Sequence, residues 1–253
     1  MNWIANSDTI IFDCEFNEKL DVKLISGYTK LIFSNYKLNE KLFEHYANCD
    51  FSNLIFTMNK FDQDISNLFP LNITHLFFGH HFNQDVSNLP HSITHLTFGT
   101  NFNRDVSNLP QGITHLIFDF HFNQDVSVLP PFLTHLTFGW RFNQDISSLP
   151  PFITHLALGY SFNQYCNFHA NIKYLKLDCN NTHIINSLPN SIAELELDFN
   201  FNLEINNLPT SIKKLMIEKD SEYNEDLEHC VFYRRIIFKL YLSKTYNAYS
   251  FQS

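Results

Sequence analysis

Paired cysteines, basic clusters, long apolar runs and glycine are all scarce in this chain, and each shortage removes a class of protein. The five cysteines, Cys14, Cys49, Cys166, Cys179 and Cys230, lie at irregular distances with no CxxC pair. Such a set reads as reduced thiols in a cytosolic protein, not as a disulfide frame or a zinc site. Lys+Arg number 17 against 26 Asp+Glu, a formal net charge of -9, and no basic cluster appears before the C-terminal end. Phosphate recognition rests on a Lys/Arg footprint, so nucleic acid is not an expected partner. No stretch approaches the roughly 20 apolar residues of a membrane span. The opening MNWIANSDTIIFDCEF also lacks the basic start and continuous apolar core of a signal peptide. A soluble, cytoplasmic protein with no membrane partner is the expectation. Gly 6 beside many Asn, Phe, Ile, Lys and Tyr hints at an AT-rich genome and carries no physical meaning.

What is present is a phrase that recurs every 20 residues. It reads FNQDVSNLPHSITHLTFGTN from Phe82, FNRDVSNLPQGITHLIFDFH from Phe102, FNQDVSVLPPFLTHLTFGWR from Phe122 and FNQDISSLPPFITHLALGYS from Phe142. A variant one residue longer starts at Phe61. Self-similarity at this period is the mark of a solenoid. Hydrophobic content of 44% with 27 Phe supplies ample core, so general disorder is excluded.

The anchor of each copy is I-T-H-L-x-F, in which Leu and Phe alternate with polar or variable residues as in a short half-buried strand. The leucine falls at Leu76, Leu96, Leu116, Leu136 and Leu156, with looser copies at Leu175, Leu195 and Leu215. Upstream the shape recurs at Leu54, Leu31 and Ile10, giving eleven anchors over nearly the whole chain. In the copy from Phe102 the apolar places are Phe102, Val106, Leu109, Ile113, Leu116 and Phe118. Burying each side chain contributes about 2 kcal/mol, whereas ordering the backbone costs about 1 kcal/mol per residue. One coil cannot stand alone, and both ends of the stack need caps. The spacing of Leu227, Val231, Ile236, Ile237 and Leu240 with Arg234, Arg235 and Lys239 predicts an amphipathic helix between Glu225 and Tyr241 as the C-terminal cap. The expected architecture is a β-rich solenoid of about eleven coils with a parallel sheet. The solenoid runs over residues 1–218, regular at 61–161, with a capping segment at 219–253.

Between strands, D-[VI]-S-x-L-P is turn chemistry: Asp85, Asp105, Asp125 and Asp145 accept from amides just downstream, and Pro90, Pro110, Pro130 and Pro150 stop continuation. The column Asn83, Asn103, Asn123 and Asn143 is expected to bond backbone groups of adjacent coils. One carboxylate per coil falls short of a calcium cage, so the structural reading is preferred.

The word FNQ…LP…ITHLxFG resembles the FNIP repeat, a relative of the leucine-rich repeat found in amoebae and in giant viruses of amoebae. The resemblance is strong over Phe61–Ser161, weaker to about Glu218 and faint before Asn53. The repeat here is about two residues shorter than is usual in that family, in the turn segment. Residues 1–60 read as degenerate coils, not as the F-box some members carry, so an adaptor role in ubiquitin ligation is not carried over. The resemblance implies a leucine-rich-repeat-like solenoid with a protein-interaction role and no catalytic residues or cofactor.

Two columns are candidates for partner binding. Strand parity turns Leu inward and the preceding His outward, which makes a row of His75, His95, His115, His135 and His155 with neighbours about 4.8 Å apart. Two coils offer a metal two imidazoles at most, with no Cys or carboxylate to complete a site, so a stacked polar-aromatic ladder is the preferred reading. Parity also places the adjacent Thr on the other face, which rejects an ice-binding surface. No acid pair or broken coil marks a catalytic spot. The second column varies from coil to coil: His80, Thr100, Phe120, Trp140, Tyr160, Cys179 and Phe199. Phe120, Trp140 and Tyr160, with Arg141, fit an interaction hot spot; equally, they fit extra core folded over the coil edge. The expected function is a non-catalytic protein-binding scaffold with an unknown protein partner and no small-molecule substrate. The alternative is a structural or self-assembling element.

Overall fold

In four of the five regular coils the alternation His-Leu-x becomes a three-residue strand with the leucine buried and its neighbours half-exposed, and in the fifth the strand runs on to a buried Leu158. The computed structural model describes residues 3–34, 59–66, 68–198, 208–218 and 237–240. Their strands are β1 (Trp3–Ala5), β2 (Thr9–Phe12), β3 (Lys30–Phe33), β4 (His75–Phe77), β5 (His95–Thr97) and β6 (His115–Ile117). They continue as β7 (His135–Thr137), β8 (His155–Leu158), β9 (Tyr174–Leu177), β10 (Glu194–Leu197), β11 (Lys214–Glu218) and β12 (Ile237–Leu240). Among the described residues two short helices, α1 (Val22–Ile25) and α2 (Thr182–Asn186), replace the usual turn in their coils.

All twelve strands form one sheet in sequence order. The run from β2 to β11 is parallel, and the anchor residues Ile10, Leu31, Leu76, Leu96, Leu116, Leu136, Leu156, Leu175, Leu195 and Leu215 are partners in register. Ten of the eleven expected anchors are therefore in the ladder. The ladder passes from β3 to β4 with no strand between them, and the remaining anchor, Leu54, lies outside the described residues.

Antiparallel strands close both ends: β1 on β2 and β12 on β11. Most of the expected helix over Glu225–Tyr241 lies outside the described residues, and the part that is described is corrected. Its described part, Ile237–Leu240, is a strand registered Leu215↔Leu240 and Ile217↔Phe238. The last parallel strand otherwise presents a row of unpaired amides and carbonyls, which a further strand satisfies and a helix does not. The local run of Ile and Phe also favours extended backbone.

The six apolar places of the coil from Phe102 are all buried, and their equivalents join one continuous core from Ile10 to Leu215. The coils are wedges. Side chains on the outer sheet face stack at 4.1 Å. The core rings Phe78, Phe98, Phe118 and Phe138 repeat at 5.5–5.8 Å. Stacked on these at 3.7 Å, the rings of Phe82, Phe102, Phe122 and Phe142, with Phe162 beyond, repeat at 6.1–6.2 Å. Spacing that widens away from the sheet makes the sheet face the concave one.

The asparagine column does what its spacing predicts. The side-chain oxygens of Asn83, Asn103, Asn123 and Asn143 accept the amide of the equivalent residue one coil on, at 2.8–3.0 Å. Gln124, Gln144 and Gln164 donate to the same oxygens at 3.0–3.1 Å. Each rung thus removes an otherwise orphaned amide.

Candidate interaction surface

The concave face carries the histidine row. Adjacent rings from His75 to His155 stack at 4.1 Å with interplanar angles of 10–13°. Tyr174 takes the next place, 5.6 Å from His155. Each Thr Oγ1 lies 2.9 Å from Nδ1 of the His that follows it. Placing Thr and His on opposite faces is therefore a correction: the strand begins at His, so the alternation does not extend back to Thr. Each Thr hydroxyl donates to the Thr carbonyl of the preceding coil at 3.1–3.2 Å. Its oxygen is then free to accept Nδ1–H, and this bonding pattern assigns Nε2 as the acceptor in all five rings. Ring lone pairs lie in the ring planes, so stacked neighbours do not aim at a common point. The row is a stack and not a metal clamp.

Loss of solvation holds His75, His95 and His115 below the usual imidazole value, and nearby positive charge adds to it, Lys30 for His75 and the neighbouring rings for the others. The same causes bring His135, flanked by His115 and His155, down to about 4. His75, His95, His115 and His135 are therefore neutral at pH 7. Beside the row run half-exposed Phe77, Thr97, Ile117, Thr137 and Ala157, also uncharged. From β9 onward the face changes character. Glu196, only 2% exposed, accepts from the Tyr174 hydroxyl at 2.7 Å and from Lys176 Nζ at 2.9 Å. Lys176 is also 3.4 Å from Asp178.

The variable column lies at the edge just past the strands. Phe120 stacks on Trp140 at 5.8 Å, and Trp140 on Tyr160 at 4.4 Å. The Arg141 guanidinium sits 5.5 Å from the Phe120 ring centre. None of the three rings belongs to the core, and Tyr160 is 48% exposed. They shield one another outside the coil edge. In the same column His80 and Cys179 are buried, and Phe199 lies outside the described residues.

With this geometry in place, the FNIP Repeat family matches residues 61–101, 82–120, 122–151 and 180–220, together just over half of the sequence. The chain belongs to the FNIP-repeat family. Among solved structures it is similar to CroV588, described as a novel circular LRR protein, at 27% identity and a TM-score of 0.61. That match covers 86% of this chain but 35% of the other, so the chain spans about a third of its solved relative. No curated protein matches it.

One residue within an FNIP coil escapes the sequence reading. At Gly79, Gly99, Gly139 and Gly159 an added Cβ would overlap backbone or, for Gly79, the Asn59 side chain of the preceding coil. Asp119 occupies this column. Its carboxylate takes the Thr100 hydroxyl at 2.9 Å and the Phe120 amide at 2.6 Å. Burial pushes its pKa up to about 6. The signal that finds it is the broken glycine column itself, legible in FDFHF against FGTNF and FGWRF.

Proposed function

We propose that this chain is a non-catalytic scaffold that holds a protein partner on its concave face. The anchor is the row Phe120, Trp140, Tyr160 and Arg141 at the edge of that face. The observation that supports it most is the position of these rings: large, stacked on one another and outside the core. Sister coils put His or Thr at the same place, so the coil does not require the aromatic residues. Aromatic and Arg side chains in such settings dominate interface energies, with truncation costing about 2 kcal/mol or more. The uncharged His and Thr stripe beside them desolvates at little electrostatic cost. The test is a Trp140→Ala/Tyr160→Ala double variant measured for melting temperature and for capture of a cytoplasmic partner. Lost capture at a nearly unchanged melting point supports the reading. A large drop in melting temperature with capture intact refutes it.

A second reading, self-assembly, has one observation in its favour. Ring spacings of 4.1 Å on the sheet face and 6.1 Å within the core differ by 2 Å. Across a layer of about 10 Å this fans each coil by roughly 11°, so that about thirty coils would complete a circle. The ten parallel strands make about a third of that, and the similar solved structure is described as circular. Sizing chromatography decides it: a monomer at high concentration removes this reading.

A further inference from the structure

In the turns that lead from Asp125 to Phe132 and from Asp145 to Phe152, ahead of β7 and β8, two adjacent coils are decorated differently from their sisters. Between Asp125 and Phe132 the residues Asp125, Ser127, Val128, Pro131 and Phe132 face outward while Val126, Leu129 and Pro130 are buried. The coil before has Asn108, Gln111 and Gly112 where this one has Val128, Pro131 and Phe132. Val128 and Phe132 are each 58% exposed, and Phe152 of the next coil is 55% exposed. The Phe132 and Phe152 rings lie 6.4 Å apart and nearly parallel. Nothing in the coil demands these side chains.

Each of these coils also presents a carboxylate. Asp105, Asp125 and Asp145 are exposed, and the serine two residues on donates its amide and its hydroxyl to them at 2.8–3.0 Å. Those bonds hold Asp105 and Asp125 below the usual carboxylate range, so they stay ionised in mild acid. The two arginines of the regular repeats are engaged elsewhere: Arg104 Nε donates to the Asn83 carbonyl at 2.8 Å, and Arg141 lies over Phe120.

We propose that the apolar patch of Val128, Phe132 and Phe152 anchors a short, extended, basic peptide segment, whose alternate Lys or Arg side chains meet Asp105, Asp125 and Asp145. The repeat distance selects this occupant. Phe102, Phe122 and Phe142, just ahead of the carboxylates, recur every 6.1 Å. Alternate residues of an extended chain recur every 6.6–6.8 Å or so on one face. Helical residues four apart rise by about 6 Å but turn roughly 40° at each step, so a helix leaves the row after two coils. A second copy of the chain is a poor occupant. It would set aspartate against aspartate, and an apolar area of roughly 300 Å² is well short of the ~800 Å² per partner of a stable pair.

The probe is a fluorescein-labelled peptide with lysine at alternate positions, threonine between them and one central leucine, followed by anisotropy. Controls carry the same residues with the lysines in one block, with lysine at every fourth position, or with glutamate for lysine. The alternating peptide is expected to bind tightest and to weaken with salt. An Asp105→Asn/Asp125→Asn/Asp145→Asn variant keeps an acceptor for each serine amide and should lose about tenfold in affinity. A Phe132→Ser/Phe152→Ser variant should lose a similar factor, while Trp140→Ala/Tyr160→Ala binds like the parent. That last arm separates this surface from the concave one. Melting curves establish that each variant is folded. The proposal is overturned if a control peptide binds as tightly as the alternating one. It is equally overturned if the triple Asn variant binds like the parent, or if binding follows Trp140 and Tyr160 instead of Phe132 and Phe152.

Discussion

Acid should loosen this solenoid through its histidine row, and the geometry sets the scale. Two imidazolium rings 4.1 Å apart repel by about 1 kcal/mol in water-like dielectric and about 4 kcal/mol at an effective constant of 20. The stack limits the damage by charging rings two coils apart, such as His75 and His115, before adjacent ones. Desolvation then dominates, as it does in the depression of His75, His95, His115 and His135. A base whose folded pKa lies below its unfolded value near 6.5 takes up protons more readily in the unfolded chain. Stability is therefore intact above that value and falls as pH drops through it. The loss is complete below the folded values, which reach about 4 at His135. After discounting for solvent screening at half-exposed rings, a total of about 2–4 kcal/mol is expected between pH 7 and pH 4. That is a large part of a typical folding free energy.

The assay is urea unfolding across that pH range for the parent and for a variant with all five histidines changed to Gln. Comparing the two cancels every other titration, including that of Asp119, which runs the opposite way. The variant should lose markedly less stability on acidification. Two parallel profiles would refute the reasoning, because they would mean the rings charge without cost and the stack is not held together in solution.

Asp119→Asn removes a buried carboxylate whose pKa stands at about 6 against 3.8. A raised acid contributes stability below its unfolded pKa and loses it above the folded one, so Asn should gain about 1–2 kcal/mol near pH 7.5. The gain should vanish below pH 4, as read by thermal melts at both values. Deleting residues 102–121, one whole coil, should leave a folded and slightly less stable protein by circular dichroism, because Leu96 can then pair with Leu136 in unchanged register. Deleting 102–111 alone should abolish folding. Asn123→Ala strips the acceptor used by the Asn143 amide and Gln144 Nε2. It should cost about 1–2 kcal/mol in urea unfolding, and a neutral result would show that the ladder is ornamental.

How much of this was legible in the sequence depends on whether a residue obeys the repeat. Residues that every coil needs announce themselves by recurring. The buried Leu and Phe columns, the Asn ladder and the Asp–Ser turns all follow from the period and from elementary turn chemistry, and the structure places them accordingly. Ends are harder, because a terminal strand is specified by the unpaired edge it must satisfy and not by its own periodicity. Ile237–Leu240 carries residues that suit an amphipathic helix equally well, and only the exposed amides of β11 choose strand over helix. The Thr74–His75 contact and its copies escape the sequence for a different reason. Strand parity applies only inside a strand, and the strand starts one residue later than the alternation suggests.

Departures from the repeat carry the remaining information, and they fall into two physical kinds. Phe120, Trp140 and Tyr160 replace small or polar residues at an edge where space is open, so the coil accepts them at little cost and the gain must lie outside it. Phe132 and Phe152 are the same kind in the turns that enter β7 and β8. Asp119 is the other kind, since it stands where sister coils need glycine and where burial penalises its charge. A scaffold under selection for stability alone would restore Gly at 119 and polar residues at 132 and 152. Most of these costs fall in two consecutive coils and the strand edges beside them, between Asp119 and Tyr160, and Tyr165, 74% exposed where sister coils carry Asp, extends the series. The surfaces worth probing for partners are therefore the two edges of that short stretch, and not the regular columns that fill the rest of the solenoid.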